Sequence, residues 1–285
     1  MTDPLLQRST ATALLLIASA MAPVLAQDEP AAMTPSEESE TLLSSDQDPW
    51  RISLTPMVWA IGLNGDVGVG PVGASVDASF LDLLDESDSV FGFTGRLEVA
   101  HGRLGGFVDG AYAKLGVDNA TGPAGLSRID VTSELAVLDF GVMYRVAEWT
   151  PEEGARDNAL PGSLDAYVGG RLMHVGLELD PAMLPGISAD MTWVDPIVGG
   201  RLILPLSKSV HVLGMGDVGG FGASSDLTWS ATAALGWNTT LWGHPASLRA
   251  GYRAIGHDYT NGSGARRFTW DVIMHGPIFG LSVQF

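Results

Sequence analysis

The sequence predicts an all-β fold, an antiparallel up-and-down transmembrane β-barrel of about ten strands, and three features support it. Apolar residues alternate with small or polar ones in about ten runs, each near the ~10 residues that a tilted membrane-spanning strand needs. The chain of 285 residues has 36 glycines and no cysteine, so packing rather than disulfides must hold the sheet together. Its last strand ends on an aromatic residue, Phe285.

The first 26 residues predict a secretory signal peptide. Arg8 is the only basic residue before an apolar stretch, Ala11–Met21, which is too short to span a bilayer as a helix. Small or aliphatic residues at Val24 and Ala26 predict cleavage just after Ala26. An uncleaved membrane anchor is the alternative.

Residues 27–49 predict a disordered acidic leader on the periplasmic side. Between Asp28 and Asp48 the segment has seven acidic residues and no basic one, together with several prolines and serines. A solvated linker is favoured over a recognition tail. The formal net charge of the whole chain is −18, which excludes nucleic-acid binding through clustered lysines and arginines.

Residues 50–285 form the predicted barrel. Its connections alternate between long and short, as in bacterial barrels whose termini both face the periplasm. The long link at residues 148–163 and the short one at residues 222–226 depart from this rule. An even count of ten strands follows, with eight or twelve as alternatives. The runs are Trp50–Leu63, Val90–His101, Leu104–Val117, Ile129–Ala147, Leu164–Leu179, Met191–Leu206, Val210–Phe221, Leu227–Thr240, Ala246–Tyr259 and Phe268–Phe285.

Each predicted strand has one apolar face and one face with small, polar or charged residues. In the second run, Phe93 and Leu97 share one face, whereas Arg96 and Glu98 share the other. An arginine that contacts lipid at mid-membrane costs about 2–4 kcal/mol, so the charged face is predicted to point into the lumen and the apolar face to meet lipid. The 8 tryptophans, mostly near strand ends, are predicted to form an aromatic girdle.

The inward charges are nearly balanced, which leaves two interpretations of the lumen. Arginine supplies the cations, and its planar guanidinium favours bidentate pairing with carboxylates. A salt-bridged interior that closes the barrel is the first interpretation, and a narrow charged conduit is the second. The predicted lumen-lining residues are Arg96, Glu98, Asp109, Asp139, Arg145, Arg171, Asp195, Arg201, Asp217, Arg249 and Arg253.

The final strand predicts the compartment. Phe279, Leu281, Val283 and Phe285 lie on one face, and a last strand that ends on an aromatic is typical of outer-membrane barrels. This strand is expected to close the barrel and to be the segment that the barrel-assembly machinery binds. Outer-membrane lipid and lipopolysaccharide are the other expected partners, and a monomer is expected.

Several segments together resemble a known family. The sequence is similar to a family of small, largely uncharacterised outer-membrane β-barrel proteins of Gram-negative bacteria, within the broad porin and OmpA-like barrel superfamily. The resemblance covers about residues 50–285 and implies fold and location, but no catalytic or ligand residues. The segments that carry it are Val76–Asp85, Gly95–Glu98, Gly102–Asp109, Asp195–Arg201, Gly216–Gly222 and Ala250–Arg253.

The first long loop predicts a short amphipathic helix. Phe80, Leu83 and Leu84 have helical spacing, whereas Asp82 faces elsewhere. Such a helix in the first extracellular loop is expected either to plug the barrel mouth in part or to cap its rim.

The search for chemistry gives one weak pair. None of the six histidines has the spacing of a metal site, so neither a metal nor a cofactor is expected. His257 and Asp258 are weak catalytic candidates because some outer-membrane proteases carry histidine and aspartate at the extracellular rim. The expected function is therefore structural, or limited passage of small solutes through a narrow charged lumen. The alternatives are a rim hydrolase acting on peptide or lipid A, and a loop-mediated binding or adhesion protein.

Overall fold

The computed structural model describes residues 49–70, 72–86, 89–121, 127–149, 161–181 and 187–285. The predicted signal peptide and nearly all of the predicted leader lie outside these residues. The helix and strands are β1 Arg51–Trp59, β2 Gly62–Val69, β3 Val72–Ala78, α1 Phe80–Glu86, β4 Ser89–His101, β5 Leu104–Thr121, β6 Ser127–Trp149, β7 Gly162–Pro181, β8 Ile187–Pro205, β9 Val210–Gly220, β10 Leu227–Leu241, β11 His244–Asn261 and β12 Phe268–Gln284.

Ten of the strands close into a ring, which confirms the predicted fold. The sheet runs β1-β4-β5-β6-β7-β8-β9-β10-β11-β12, and β12 then pairs with β1. The closing pair is antiparallel, with Ser53 opposite Gln284 and Trp59 opposite Ile278. Along the length of β1, which pairs with both β12 and β4, closure leaves no free edge, so the backbone groups of the strands find partners there without water. No helix in the described part of the chain is long and apolar enough to cross a membrane.

The first predicted run and the loop after it need a correction, because the chain from residue 62 to 78 forms a β-hairpin. The strand breaks at Ala60, whose N–H donates to Pro277 O at 3.0 Å, and then continues along β12 as β2. At this break the Ala60 carbonyl lies so close to Gly276 that a Cβ there would be 1.8 Å away. β2 turns back into β3, so a hairpin stands where the sequence predicted only a loop.

We name the two ends of the barrel by what they carry. The terminal end carries the start of β1 and the end of β12, where Ile52 and Phe285 exchange backbone hydrogen bonds of 3.2 and 2.8 Å. The loop end carries the β2–β3 hairpin and α1. The short turn after β9 lies at the loop end, and it begins at Phe221, which has a positive φ of 50°.

Apolar side chains cover the outside of the wall, as alternation requires for a barrel in lipid. Phe93, Val108 and Val168 are 65%, 44% and 54% exposed on this surface. The predicted tryptophan girdle is only partly present. Trp50, Trp149, Trp237 and Trp242 are exposed near the terminal end, but three tryptophans point into the barrel. These buried tryptophans are Trp59, Trp193 and Trp270.

Candidate functional site

Charged side chains join across the lumen at mid-height in one connected set, which we call the central network. The half of the network nearer the loop end is built around Arg171, which is fully buried. Arg171 Nε and Nη2 donate to the two carboxylate oxygens of Asp139 at 2.8 Å each, and Nη2 lies 3.0 Å from Asp217 Oδ1. Nη1 donates to Thr228 Oγ1 at 3.1 Å. Asp217 also accepts from Tyr167 Oη at 3.0 Å.

The central network continues through Arg253 to the strands on the opposite side. Arg253 Nη1 donates to Asp109 at 2.7 Å, and Nη2 lies 3.7 Å from Asp139. Arg96 bonds Asp109 at 3.4 Å and also bonds Glu98. These contacts join β11 with β5 and β6, which lie on the far side of the ring.

The terminal-end half of the central network is built around Arg201. Its guanidinium donates to Glu98 at 2.5 Å and to Asp165 at 2.7 Å. Arg145 donates to Asp165 at 2.9 Å and to Glu148 at 2.6 Å. β4 and β8, which carry Glu98 and Arg201, lie on nearly opposite sides of the ring.

Because these pairs cross the lumen, little space is left at mid-height. The void among them measures about 50 Å³. This void is far smaller than the open space on either side of it, which measures about 640 and 360 Å³. The central network therefore divides the lumen into a loop-end chamber and a terminal-end chamber.

Two of the sequence-predicted lumen residues lie inside the barrel but outside the central network. Asp195 is fully buried and accepts from Trp193 Nε1 at 3.1 Å and from Ser225 N at 2.7 Å, and it contacts no arginine among the described residues. Among the described residues, Arg249 donates only to Ser247 Oγ, at 3.1 Å.

The loop-end chamber has a volume of about 640 Å³ and an apolar wall. Sequence reasoning missed this wall because it assigned the inward tryptophans to a girdle, although Trp59 shares its strand face with Thr55 and Met57. Under the chamber lies the buried cluster of Met173, Ile255 and Met274, and Arg253 stacks on Trp59 with its guanidinium carbon 5.1 Å from the ring centre. The main lining residues are Trp59, Leu63, Val67, Leu115, Leu135, Val175, Met191, Phe268, Trp270 and Val272.

Polar groups interrupt this mostly apolar wall: Thr94, Ser133, Glu134 and Asp190 line it, and two of its tryptophans have unpartnered N–H groups. The indole N–H groups of Trp59 and Trp270 are buried and have no hydrogen-bond partner among the described residues. A buried donor without a partner loses its hydration, so an acceptor placed in the chamber would satisfy it. The chamber thus combines a large apolar surface with two indole N–H donors that have no partner among the described residues.

The helix α1 lies at the rim of this chamber. Phe80 and Leu83 line the chamber, whereas Leu81 points to solvent at 67% exposure. Leu84 lies within the helix, but its side chain is outside the described set. Ser79 starts the helix: its hydroxyl and its N–H donate to Asp82 at 2.6 and 2.9 Å. These bonds lower the pKa of Asp82 below its ordinary value.

The wall beside the chamber has an opening between β3 and β4. In the described part of the chain, β3 pairs only with β2, and the β1–β4 pairing stops at Met57 opposite Thr94. The loop-end part of β4, from Ser89 to Phe93, therefore pairs only with β5. The chamber lining includes Val58 and Phe93, whose side chains are each 65% exposed on the outer surface. The chamber thus continues through the wall at this place.

The terminal-end chamber is smaller, about 360 Å³, and polar. Its lining includes Ser53, Thr55 and Ser282, and Thr55 Oγ1 donates to Ser282 Oγ at 3.0 Å. Five arginines and three acidic residues also line it: Arg51, Arg103, Arg145, Arg201, Arg249, Glu98, Glu148 and Asp165.

The weak catalytic pair of the sequence analysis does not meet in the structure. His257 points inward and is 3% exposed, and neither ring nitrogen has a hydrogen-bond partner among the described residues. Its ring packs edge-on against Trp193 at 5.9 Å. Asp258 points to the outside, so no described carboxylate orients the histidine as a general base requires. The described residues contain no group of three metal-ligating side chains.

The last strand, β12, completes the ring at the positions given above. Phe279 and Phe285 are exposed on its outer face at 59% and 52%. Leu281 on the same face is half-buried, and Val283 is buried at 7% exposure.

Comparisons with known proteins give distant structural likenesses alone. No family model and no curated protein matches the sequence. Ail, the attachment invasion locus protein of Yersinia pestis, is 11% identical over 83% of this chain and 99% of its own, with a TM-score of 0.35. Neisserial surface protein A is 14% identical over 83% and 97%, with a TM-score of 0.30. Outer membrane protein AlkL is 14% identical over 92% and 97%, with a TM-score of 0.32.

Sequence identities and TM-scores this low say nothing about the function of this chain. The outer-membrane type of β-barrel that the sequence predicted is present in the chain's own structure, in its closed ten-stranded wall and apolar outer surface.

Proposed function

We propose that this protein is an integral outer-membrane barrel whose loop-end chamber binds a small, mostly apolar molecule that carries a hydrogen-bond acceptor. The observation that carries this proposal is the chamber itself, about 640 Å³ with an apolar wall. This volume lies within the ~300–1,000 Å³ of small-molecule sites, which combine apolar walls with a few fixed polar groups. The indoles of Trp59 and Trp270 supply the polar groups.

The opening between β3 and β4 supports entry or exit of such a molecule through the wall. An apolar molecule dissolves in lipid far better than in water, and Val58 and Phe93 make the outer side of this opening apolar. In the proposed orientation the termini face the periplasm, and the chamber lies toward the outer leaflet.

The geometry gives less support to the other functions that the sequence left open. Passage of ions straight through the lumen would require the crossing pairs of Arg201 and Arg253 to separate. A rim hydrolase lacks a partner for His257 among the described residues.

The proposal can be tested by NMR of the indole N–H groups in the refolded mature protein, residues 27–285, in lipid nanodiscs. Trp59→Phe and Trp270→Phe assign the two signals. We expect titration with 2-decanone, which has a carbonyl acceptor, to shift one or both signals, and decane to shift them far less.

Two matched variants on β7 separate binding in the chamber from general partition into lipid. Val175 lines the chamber, whereas Val168 faces outward at 54% exposure. Val175→Phe should fill part of the chamber and weaken the ketone effect, whereas Val168→Phe should preserve it. Indole signals that do not move, or that move equally in both variants, would contradict the proposal.

A further inference from the structure

The terminal-end chamber contains more positive than negative charge. Five arginines line it against three acidic residues, although the chain as a whole has a formal net charge of −18. The three acids are already engaged: Glu98 contacts Arg96 and Arg201, and Asp165 contacts Arg145 and Arg201. Glu148 contacts Arg145.

Arg249 is one of three arginines of this lining, with Arg51 and Arg103, that contact no carboxylate among the described residues. It lines the chamber at the edge of the central network, and its Nε donates to Ser247 Oγ at 3.1 Å. Its two terminal amino groups have no partner among the described residues, whereas the five arginines of the central network each contact a carboxylate. The terminal residue Phe285 points outward and does not line the chamber. No described carboxylate therefore contacts Arg249, and Glu98, which attracts it electrostatically, is already paired with Arg96 and Arg201.

A second unpartnered group lines the same chamber. Ser163 on β7 is 1% exposed, and its hydroxyl has no hydrogen-bond partner among the described residues. A buried hydroxyl is normally hydrogen-bonded, so its isolation in a polar chamber needs an explanation. A guanidinium with two free amino groups and a nearly buried hydroxyl are the donors that proteins use to hold an oxyanion.

We propose that the terminal-end chamber binds a small oxyanion, a phosphate or a carboxylate, through the guanidinium of Arg249, with the hydroxyl of Ser163 as a further donor in the same chamber. The chamber, about 360 Å³, has room for such an ion together with water. The ion supplies the negative charge that the lining lacks. In the proposed orientation it enters from the periplasm. This site is independent of the loop-end chamber, since the central network lies between them.

The test is calorimetric titration of the refolded mature protein in a nonionic detergent, at constant ionic strength, with inorganic phosphate in one series and succinate in another. We expect saturable binding of at least one of them, and the stronger ligand identifies the oxyanion as phosphate or carboxylate. Arg249→Gln should weaken binding at least tenfold, and Ser163→Ala should weaken it severalfold. Arg267→Gln, which removes an exposed arginine at the loop end, is the control and should bind like the parent protein.

Absence of saturable binding in both series would overturn the proposal, and so would equal affinity of the parent and Arg249→Gln. If Arg249→Gln does not fold, Arg249→Lys takes its place. A lysine keeps the charge but lacks the two-pronged geometry, so we expect severalfold weaker binding, and an unchanged affinity would again overturn the proposal.

Discussion

Replacement of Arg171 by methionine tests how much the central network stabilises the barrel. Arg171 is fully buried and holds both oxygens of Asp139 at 2.8 Å and Asp217 at 3.0 Å. Arg171→Met fills similar space but leaves Asp217 without a cation and Asp139 with only Arg253 at 3.7 Å. Removal of one partner from a buried ion pair costs about 3–5 kcal/mol, so we expect a loss of this size in the free energy of unfolding.

The assay is reversible unfolding in guanidinium chloride in the presence of lipid vesicles, followed by tryptophan fluorescence. Lys114→Met is the matched control because Lys114 pairs with Glu134 at 2.5 Å on the exposed surface. An exposed pair contributes little to stability, so this variant should unfold almost like the parent protein. Arg171→Met and Lys114→Met of equal stability would refute the reasoning.

Two further expectations follow from the same structure. The parent protein should give no steady conductance in a planar bilayer, because pairs such as Arg201–Glu98 cross the lumen. The double variant Arg201→Ala/Arg253→Ala should give stepwise increases in current. Frequent openings of the parent protein would contradict the division of the lumen into two chambers. Gly276→Ala should destabilise the barrel by about 1–3 kcal/mol or more, since its Cβ would lie 1.8 Å from Ala60 O. Gly214→Ala, with nothing within 4 Å of its Cβ, should fold normally. Similar unfolding midpoints of the two variants would contradict this expectation.

Alternation of side chains predicted most of the wall. A period of two assigns every residue of a strand to one of two faces, and charge tells which face is inward because lipid rejects it. For that reason Arg96, Arg171 and Arg201 could be assigned to the inward face from the sequence, and all three are buried. Phe285 could be placed at the end of the closing strand because a last strand that ends on an aromatic is typical of outer-membrane barrels, and it bonds Ile52 at the start of β1.

Other features depend on distances between side chains, which the alternation of residues along a strand does not give. Counting charges gave a nearly balanced lumen, but Asp195 bonds Trp193 and Ser225, and Asp165, which the count left out, pairs with Arg145 and Arg201. Arg249 contacts no carboxylate among the described residues. The hairpin of β2 and β3 was missed because its short strands, with glycine, asparagine and aspartate among their residues, have a weak strand signal. The loop-end chamber was missed because alternation gives the side on which a tryptophan lies, but not what surrounds it.

The distances along the chain between paired charges have a consequence for assembly. Arg253 and Asp109 are 144 residues apart, and Arg201 and Glu98 are 103 residues apart. Neighbouring strands can form hairpins early from local contacts, but these pairs meet only when the two edges of the growing sheet come together. Until then their charges stay hydrated. We therefore expect these two pairs to form only after the sheet has curled into a ring, whereas pairs between neighbouring strands, such as Arg171–Asp139, can form earlier.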